Sequence, residues 1–256
     1  MLAVVVGASG GIGAAIVDAL RHEADISSII ATYRTRPPQQ ASVTTENEVP
    51  VDWYRLELTD ESAIVEFADY LRTQVEKPVA GTDEGQCTIR YLINCAGILH
   101  DERLSPEKSL RTFTSEALAT SIAVNTAPTL LLARHTGPLF KHSPHAVFAT
   151  ISAKVGSISD NHLGGWYSYR MSKAALNMAI RTLAIEWRRQ YPRVSVVALH
   201  PGTTATKLSK PFQRNVPEGK LFRADKTAGL LITVMRSLTP GQNGEFLSWD
   251  GTTIPW

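Results

Sequence analysis

Short apolar runs recur along the chain between amphipathic and polar stretches. Continuous apolar runs of about four to eight residues are typical of strands buried on both faces of a parallel sheet. Residues 2–6 are such a run, and further strands are predicted at residues 28–33, 51–56, 89–94, 145–151, 194–199 and 245–248. Helices are predicted at residues 14–20, 60–75 and 167–191, with a last helix before the final strand. Because strands and helices alternate from end to end, the pattern predicts an α/β fold with a doubly wound parallel sheet.

Two polar stretches interrupt this alternation, at residues 35–50 and 78–86. Both contain proline and few apolar residues, so both are predicted to be loops. No repeat, low-complexity tract or linker divides the chain. We therefore expect residues 1–256 to form a single domain, in which the final loops build at most a small lobe.

Composition argues against several functional classes. The chain is 43% hydrophobic and 20% charged, and its formal net charge of +2 is too small to attract nucleic acid or acidic lipid. Neither Cys87 nor Cys95 is in a CxxC pair, and the seven histidines lack metal-ligand spacing, so no disulfide framework or metal site is expected. Residues 1–20 are apolar, but glycines interrupt them and no basic residue precedes them, which favours a strand and a helix over a signal segment. We expect a cytoplasmic protein with no membrane partner, because no other segment is long enough to cross a bilayer.

A glycine-rich turn follows the first strand and leads into a helix. Gly7, Gly11 and Gly13 are spaced as Gly-x-x-x-Gly-x-Gly, with Ser9 and Ile12 between them. In a Rossmann-like sheet such a turn lets the backbone approach a pyrophosphate, which binds the free N–H groups at the helix N-terminus. The alternative interpretation is a tight turn that binds nothing.

The same stretch allows a competing interpretation. Residues 7–11 also spell Gly-x-Ser-x-Gly, the nucleophile elbow of α/β-hydrolases, which would make Ser9 a nucleophile. No earlier strand and loop is present to supply the second oxyanion donor, so a serine hydrolase is the weaker hypothesis. A P-loop is excluded because no lysine follows the last glycine.

Tyr169 and Lys173 lie four residues apart in the longest predicted helix and therefore project from the same face. A free tyrosine has a pKa of about 10, and an ammonium group beside it favours the phenolate. The spacing suits a general acid/base, although it also occurs on solvated helix faces.

Four motifs together resemble one enzyme family. They are Gly7-x-x-x-Gly11-Ile12-Gly13, Asn94-Cys95-Ala96-Gly97, Tyr169-x-x-x-Lys173 and Pro201-Gly202. In this order, and over nearly the whole chain, they resemble the short-chain dehydrogenases/reductases. Residues 155–161 and 164–170 are similar to the C-factor/sniffer-like carbonyl reductase branch of that family. The resemblance implies a nicotinamide-dependent oxidoreductase that interconverts a carbonyl and an alcohol.

The resemblance also implies roles for individual residues. Tyr169 would protonate the carbonyl oxygen as hydride arrives, or deprotonate the alcohol in the reverse direction. Lys173 would hold the nicotinamide ribose and lower the pKa of Tyr169. Asn125 matches the family asparagine that keeps a proton-relay water in place, its alternative being a helix residue that satisfies a local backbone group.

Further residues would line the cofactor cleft by the same resemblance. They stand after the fourth strand, after the sixth strand and at the adenine end: Asn94, Ala96 and Gly97; Pro201, Gly202 and Thr206; Glu57 and Leu58. The adenine-end pair departs from the family, which commonly has Asp followed by an aliphatic residue there.

The catalytic serine is a second departure. The family serine is usually the second of a Ser-Ser pair that ends the fifth strand, whereas here Ser152 is followed by Ala153. Either Ser152 takes the role after a register change, or Ser157 does, or the hydroxyl is missing. We favour Ser152, whose alternative role is to cap the strand end.

The end of the second strand indicates which nicotinamide cofactor is used. NAD-binding Rossmann proteins usually place a carboxylate about 20 residues past the glycine turn. Tyr33 and Arg34 occupy that place, and no acid is nearby. A guanidinium binds a 2′-phosphate, which a carboxylate would repel, so NADP(H) is favoured over NAD(H). The alternative is that Arg34 is a solvated surface charge.

Substrate and partners are predicted only in outline. We expect a small-molecule carbonyl or alcohol substrate, with the polar segment 203–223 as a mobile lid. We also expect a homo-oligomer, a dimer or tetramer, because family members commonly pair their long helices. The competing class is a nucleotide-binding signalling or scaffold protein on the same fold with little turnover, which the Ala153 departure motivates.

Overall fold

A parallel sheet runs through the computed structural model, which describes residues 1–38, 48–77 and 87–256. The strands are β1 (Leu2–Val6), β2 (Ser28–Tyr33), β3 (Val51–Arg55), β4 (Ile89–Asn94), β5 (Ala146–Ile151), β6 (Val194–His200), β7 (Thr203–Thr204), β8 (Leu221–Phe222) and β9 (Phe246–Ser248). Within the described residues, seven strands pair in the order β3-β2-β1-β4-β5-β6-β9, and every neighbouring pair is parallel. The short strands β7 and β8 form a separate pair.

Helices cover both faces of this sheet. They are α1 (Gly11–Leu20), α2 (Glu61–Val75), α3 (Ser115–Asn125), α4 (Ala127–Thr136), α5 (Tyr167–Gln190) and α6 (Ala224–Arg236). On one face, Ile16 of α1 and Met235 of α6 join a buried apolar cluster. On the other face, Phe67 of α2, Leu132 of α4 and Trp187 of α5 join a second one. The predicted doubly wound α/β fold is thereby confirmed, and no helix in the described ranges is long and apolar enough to cross a bilayer.

The order of the strands reverses between β1 and β4. These two strands are neighbours, and Val6 lies opposite Asn94 at their C-terminal ends. In open parallel sheets, ligand sites form in the crevice where the strand order reverses. The glycine turn after β1 and the Asn94–Gly97 segment after β4 therefore face the same crevice.

Most predicted boundaries agree with the structure to within one residue. The exception is α1, which begins at Gly11 rather than at residue 14, because the glycine turn continues directly into the helix. Residue 60, predicted to begin a helix, is the N-cap Asp60 of α2, whose carboxylate accepts a hydrogen bond from the Ser62 amide at 2.9 Å. Residues 39–47 of the first predicted loop and all of the second, 78–86, lie outside the described residues.

The apolar pattern does not predict α3 and α4. Both helices bury polar side chains, among them Ser121 and Asn125 in α3 and Thr129 and Thr136 in α4. Polar residues on the inward face remove the apolar stripe from which a helix is recognised. Two of these side chains, Thr129 and Asn125, form hydrogen bonds with Asn94 at the end of β4 and with Ile98 after it.

Candidate active site

The glycine turn leaves no room for side chains where it passes beneath the crevice. A Cβ on Gly13 would lie 2.4 Å from the Gly7 carbonyl oxygen, and one on Gly7 would lie 2.9 Å from the Ala96 nitrogen. Gly7 and Gly11 also have positive φ, 75° and 56°. Gly10, the N-cap of α1, offers no side-chain cap, and the N–H groups of residues 11–13 have no acceptor among the described residues. These free N–H groups at a helix N-terminus suit an anion, and pyrophosphate binding there stays a prediction.

Ser9 and Ile12 lie within this turn. Ser9 is exposed, and no described histidine forms a hydrogen bond with its hydroxyl. A nucleophilic serine needs such a base within hydrogen-bond reach. The hydrolase hypothesis therefore gains no support from the geometry, whereas an exposed hydroxyl beside free N–H groups suits a phosphate contact.

Asn94 fixes the segment that follows β4. Its side-chain oxygen accepts a hydrogen bond from the Ala96 amide at 3.1 Å, and its amide nitrogen donates to the Thr129 hydroxyl at 3.0 Å. The segment is thereby packed closely against Gly7 of the glycine turn, through the backbone of Ala96. The structure brings these two sequence-predicted groups together on one side of the crevice.

Tyr169 and Lys173 face the same crevice from the first turns of α5. Lys173 is buried, and its Nζ donates to the Ile151 main-chain oxygen at 2.9 Å. Nζ lies 5.8 Å from the centre of the Tyr169 ring. The Tyr169 ring is also buried, and its hydroxyl forms no hydrogen bond with any described residue. That hydroxyl is therefore free to bind a substrate.

Burial controls the protonation of both groups. It raises the pKa of Tyr169 well above its ordinary value and lowers the pKa of Lys173 to about 8. The direction for Tyr169 is opposite to the sequence-based expectation that Lys173 lowers it. The reason is that desolvation of the phenolate raises the pKa more than the nearby Lys173 ammonium lowers it. The ammonium donates its hydrogen bond to the Ile151 main-chain oxygen.

Asn125 connects the loop after β4 to α5. Its side-chain oxygen accepts from the Ile98 amide at 2.7 Å, and its nitrogen donates to the Ile98 oxygen at 2.9 Å and to the Ser172 hydroxyl at 3.0 Å. The alternative of a purely local backbone contact is wrong, because Ile98 is 27 positions away. Asn125 thus lies beside α5, one residue of which is Lys173.

The helix pattern breaks immediately after Asn125. Thr126 has φ −120° and ψ −62°, between α3 and α4. The Thr129 amide donates to the Thr126 oxygen at 3.1 Å, three residues back, instead of to the Asn125 oxygen. The Asn125 carbonyl therefore lies outside the regular helical hydrogen bonds and can accept one from another donor.

Gly97 lies between the two groups. A Cβ on Gly97 would be 3.2 Å from the Asn125 side-chain oxygen and 3.5 Å from Lys173 Nζ. Gly97, Asn125 and Lys173 therefore form one wall of the crevice, and any side chain at residue 97 would fill the space between them.

The hydroxyls of Ser152 and Ser157 donate to groups other than Tyr169. Ser152 is 2% exposed, and its hydroxyl donates to the Asn177 side-chain oxygen on α5 at 2.7 Å. Ser157 donates to the Pro255 main-chain oxygen at 2.5 Å. The assignment of Ser152 as the catalytic serine is therefore not supported, because its one proton is held by a buried amide. Of the three alternatives, the geometry favours the missing hydroxyl.

The segment after β6 closes over the glycine turn. Pro201 is buried, and Gly202 has φ 71°. A Cβ on Gly202 would lie 2.9 Å from the Phe222 ring, so the bend is tightly packed. Thr206 reaches the turn itself, since its methyl carbon is 3.2 Å from where a Cβ on Gly11 would stand. A cofactor contact at these three residues stays a prediction.

Two arginines lie together at the C-terminal ends of β2 and β3. Arg34 is exposed, and its main-chain oxygen accepts a hydrogen bond from Arg55 Nε at 3.3 Å. Arg55 ends β3 and is opposite Tyr33 in the sheet. Asp101 has a lowered pKa, caused first by the amides of residues 103 and 104 and to a lesser degree by neighbouring charges that include Arg34. Sequence reasoning missed Arg55, because only the β2–β3 register brings it beside Arg34.

Glu57 and Leu58 have structural contacts of their own. The Glu57 carboxylate accepts from the Thr59 amide at 3.1 Å and from the Thr59 hydroxyl at 2.8 Å, so it caps the turn before α2. Leu58 packs against the apolar core. These contacts leave one Glu57 oxygen without a described partner, and an adenine contact there stays a prediction.

Aromatic side chains extend from Tyr169 toward the segment after β6. The Trp166 ring lies 6.2 Å from the Tyr169 ring and 4.8 Å from the Phe212 ring, centre to centre. Phe212 contacts His100 at 5.8 Å, and a His100 ring nitrogen is 3.1 Å from the Leu208 oxygen. An apolar wall therefore stands beside the free hydroxyl of Tyr169.

The chain is similar to known proteins over most of its length. A family model described as short chain dehydrogenase matches residues 1–217. A 1-hydroxy-2-glutathionyl-2-methyl-3-butene dehydrogenase of Rhodococcus sp. is 36% identical over 137 residues, which are 53% of this chain and 57% of that protein. A C-signal protein of Myxococcus xanthus is 37% identical over 108 residues, which are 42% of this chain and 60% of that protein. The chain thus spans 57% and 60% of the length of these curated relatives.

A solved structure extends the similarity to the whole chain. The NADPH-bound carbonyl reductase from chicken fatty liver has a TM-score of 0.83 and 26% sequence identity. The alignment covers 100% of this chain and 94% of that one. A C-signal protein and a carbonyl reductase are therefore both among the similar proteins, in agreement with the branch that the motifs indicated.

Proposed function

Because the chain belongs to the short chain dehydrogenase family, we propose that it is an NADP(H)-dependent oxidoreductase that interconverts a carbonyl compound and an alcohol by hydride transfer. One observation carries the proposal. The hydroxyl of Tyr169 projects from a buried ring without a described hydrogen-bond partner, one helical turn from Lys173. This arrangement suits proton transfer to a small oxygen-containing substrate.

The crevice fits a nicotinamide dinucleotide. Residues 11–13 offer free N–H groups at a helix N-terminus, where a pyrophosphate would bind. Further along, Gly97 lies close to the Asn125 side-chain oxygen and to Lys173 Nζ, and the Lys173 ammonium would hold a ribose there. A cofactor bound in this way supplies the hydride.

Tyr169 would act as the proton donor in the reductive direction. Because burial raises its pKa, the hydroxyl is protonated at neutral pH and can donate to a carbonyl oxygen. Lys173, with a pKa of about 8, is still mostly charged at neutral pH. Its ammonium would stabilise the phenolate that Tyr169 leaves when the proton has moved.

Asn125 would complete the proton path. Its main-chain oxygen, which the Thr129 amide does not use, can accept a hydrogen bond from a water near Lys173. Its side chain holds Ile98 and Ser172 and so keeps the break between α3 and α4 in place. Such a water would return a proton to Tyr169 through Lys173.

The adenosine end favours NADP(H) over NAD(H). Arg34 and Arg55 put two guanidinium groups where the second and third strands end. A 2′-phosphate carries nearly two negative charges and binds guanidinium groups strongly. The similar chicken carbonyl reductase is NADPH bound, which supports the same choice.

The second candidate function is a nucleotide-binding signalling or scaffold protein with little turnover. One observation favours it: the hydroxyl of Ser152 donates to the Asn177 side chain rather than to Tyr169. The fold alone does not distinguish the two functions.

Cofactor titration followed by a carbonyl panel tests the proposal. NADPH and NADH are titrated against protein fluorescence, and nicotinamide absorbance is then followed with aliphatic and aromatic aldehydes and ketones. Tighter binding of NADPH and its carbonyl-dependent oxidation are expected. Binding without oxidation across the panel would favour the second candidate, and failure to bind either nucleotide would overturn both.

A further inference from the structure

Helix α5 begins without a cap of its own. Its N-cap, Trp166, has left-handed φ and ψ of 52° and 43° and forms no side-chain cap. Gly164 and Gly165 before it are also left-handed, with φ of 63° and 65°. The first backbone bond of the helix runs from the Arg170 amide to the Trp166 oxygen at 2.8 Å. The N–H groups of residues 167–169 therefore need acceptors from elsewhere.

Glu107, in the loop between β4 and α3, supplies one. Both of its carboxylate oxygens lie near the Ser168 amide, at 3.3 Å and 3.2 Å, and one also accepts from the Ser168 hydroxyl. The Glu107 main-chain oxygen accepts from the Trp166 amide at 2.5 Å. A residue 61 positions earlier in the chain thus caps α5 by both its side chain and its backbone.

The Glu107 carboxylate is buried without a described cation. It is 3% exposed, and no described lysine, arginine or histidine forms an ion pair with it. Burying an unpaired carboxylate is strongly unfavourable unless hydrogen bonds and dipoles compensate for lost water. Here the compensation comes from Ser168 and from the positive end of a 24-residue helix. Movement of Ser168 would therefore leave this charge unsatisfied.

Tyr169 lies directly between this cap and a second anchor. On its other side, the Arg170 guanidinium donates to the oxygens of Gly164 and Gly165, at 3.1 Å and 3.0 Å. Gly165 is also packed on Glu107, since a Cβ there would lie 3.3 Å from the Glu107 main-chain oxygen. The first turn of α5 is thus held from both sides, and the backbone of Tyr169 is held with it.

We propose that Glu107 is a positioning residue, which sets the place of the Tyr169 hydroxyl in the crevice by fixing Ser168. For its catalytic consequence this inference rests on the proposed function. A general acid must lie within hydrogen-bond reach of the atom it protonates, and a displacement of about 1 Å can lower the rate about a hundredfold. Loss of the Glu107 cap should therefore lower kcat more than it lowers cofactor binding.

Hydrogen exchange of the first turn of α5 tests the cap without any substrate. In Glu107→Ala, exchange of the amides in residues 167–173 should accelerate at least about tenfold. In Glu107→Gln, which keeps an oxygen for the Ser168 amide, it should stay near the wild-type rate. The matched control is Glu116→Ala, because Glu116 is an exposed carboxylate in the first turn of α3. Unchanged exchange in Glu107→Ala would overturn the proposal.

Steady-state kinetics test the consequence for Tyr169. With NADPH and the best carbonyl of the panel, Glu107→Ala should lower kcat by about a hundredfold per NADPH-binding site and leave the NADPH KM within about twofold. In Glu107→Gln, kcat should return toward the wild-type value. Ser168→Ala should have a smaller effect, and the double variant should be no slower than Glu107→Ala, because both changes break one interaction.

The possible failures are distinguishable. If Glu107→Ala loses activity only in proportion to its NADPH-binding sites, Glu107 is structural and the positioning role is wrong. If none of the carbonyls in the panel supports NADPH oxidation by the wild-type protein, the proposed function fails. The hydrogen-exchange data still decide whether Glu107 fixes the first turn of α5.

Discussion

The Lys173 ammonium donates to the main-chain oxygen of Ile151 at 2.9 Å, at the end of β5, while it lies 5.8 Å from the centre of the Tyr169 ring. The lysine is thus anchored to the sheet, and the tyrosine hydroxyl keeps its hydrogen-bonding capacity for a substrate. Because both side chains are buried, each resists becoming charged. We therefore expect Tyr169 to donate a proton and the Lys173 ammonium to stabilise the phenolate that remains.

Replacement of Tyr169 tests the proton donor. Tyr169→Phe should lower kcat by at least about a hundredfold, the usual contribution of a general acid, and leave NADPH affinity nearly unchanged. Tyr167→Phe is the control, because Tyr167 lies on the same turn but is 37% exposed. Turnover is followed by NADPH absorbance and affinity by fluorescence titration. Near-normal turnover in Tyr169→Phe would remove the assignment.

Replacement of Lys173 should affect both binding and chemistry. Without the ammonium, the pKa of Tyr169 should rise further, so alcohol oxidation, which needs the phenolate, should begin at higher pH. Lys173→Met should also raise the Kd of NADPH, because the ammonium proposed to hold the nicotinamide ribose is lost. The pH dependence of kcat in the oxidative direction measures the first effect. An unmoved profile with only a changed KM would argue against the electrostatic role.

The same substitution should increase stability in a pH-dependent way. Burial lowers the pKa of Lys173 from 10.5 to about 8, so the unfolded chain holds this proton more tightly than the folded one. The penalty opposes folding fully below pH about 8 and fades as the pH rises toward 10.5. Removing the charge should therefore add up to about 3 kcal/mol at neutral pH, less the lost hydrogen bond to Ile151.

Urea unfolding at several pH values measures this effect. The stability difference between Lys173→Met and wild type should shrink between pH about 8 and 10.5. The control is Lys141→Met, because Lys141 is exposed. A difference that stays constant across that range would contradict the prediction.

Reversal of the charge at Arg34 tests cofactor choice. Arg34→Asp should weaken NADPH binding by about ten- to a hundredfold, leave NADH nearly unchanged, and flatten the salt dependence of NADPH binding. Arg55, beside it, should keep the loss toward the lower end. Arg72→Asp is the control, since Arg72 is an exposed arginine on α2. A wild type that already prefers NADH would overturn the cofactor choice without affecting family membership.

The homo-oligomer stays a prediction, and α5 narrows where its interface would lie. Leu176 and Ile180 are buried in the core, whereas Met178 and Ile185 are 67% and 54% exposed, seven residues apart on one side of the helix. Met178→Glu with Ile185→Glu should dissociate a dimer or tetramer, as measured by light scattering. Ile158→Glu, at a 77% exposed loop residue, should not. A wild type that is monomeric at micromolar concentration would contradict the expectation.

The sequence predicted the features that depend on local patterns. The first strand, β1, is a continuous apolar run that is buried throughout, so its bounds could be read directly. The glycine turn, Tyr169 and Lys173 were found because each chemistry needs fixed residue types at a fixed spacing. The helix that carries Asn125 was missed for the opposite reason, since its inward polar side chains remove the apolar period.

Features that depend on long-range contacts could not be predicted. Arg55 meets Arg34 only through the register of two strands. Glu107 caps a helix 61 positions later, and no local sequence pattern indicates this contact. The Ser152 hydroxyl could not be oriented from sequence, because its partner Asn177 is on another element. Each of these contacts is decided by packing rather than by neighbours in the chain.

At position 166, the residue type that is best for thermal stability differs from the one that is best for activity. Among the described residues it is the only one other than glycine with a positive φ, a conformation that holds about 1–2 kcal/mol of strain. Glycine would relieve that strain but would remove the ring that contacts Tyr169 and Phe212. Selection for heat resistance alone would therefore favour glycine at this position and remove the aromatic contacts, whereas selection for turnover would retain the strained tryptophan.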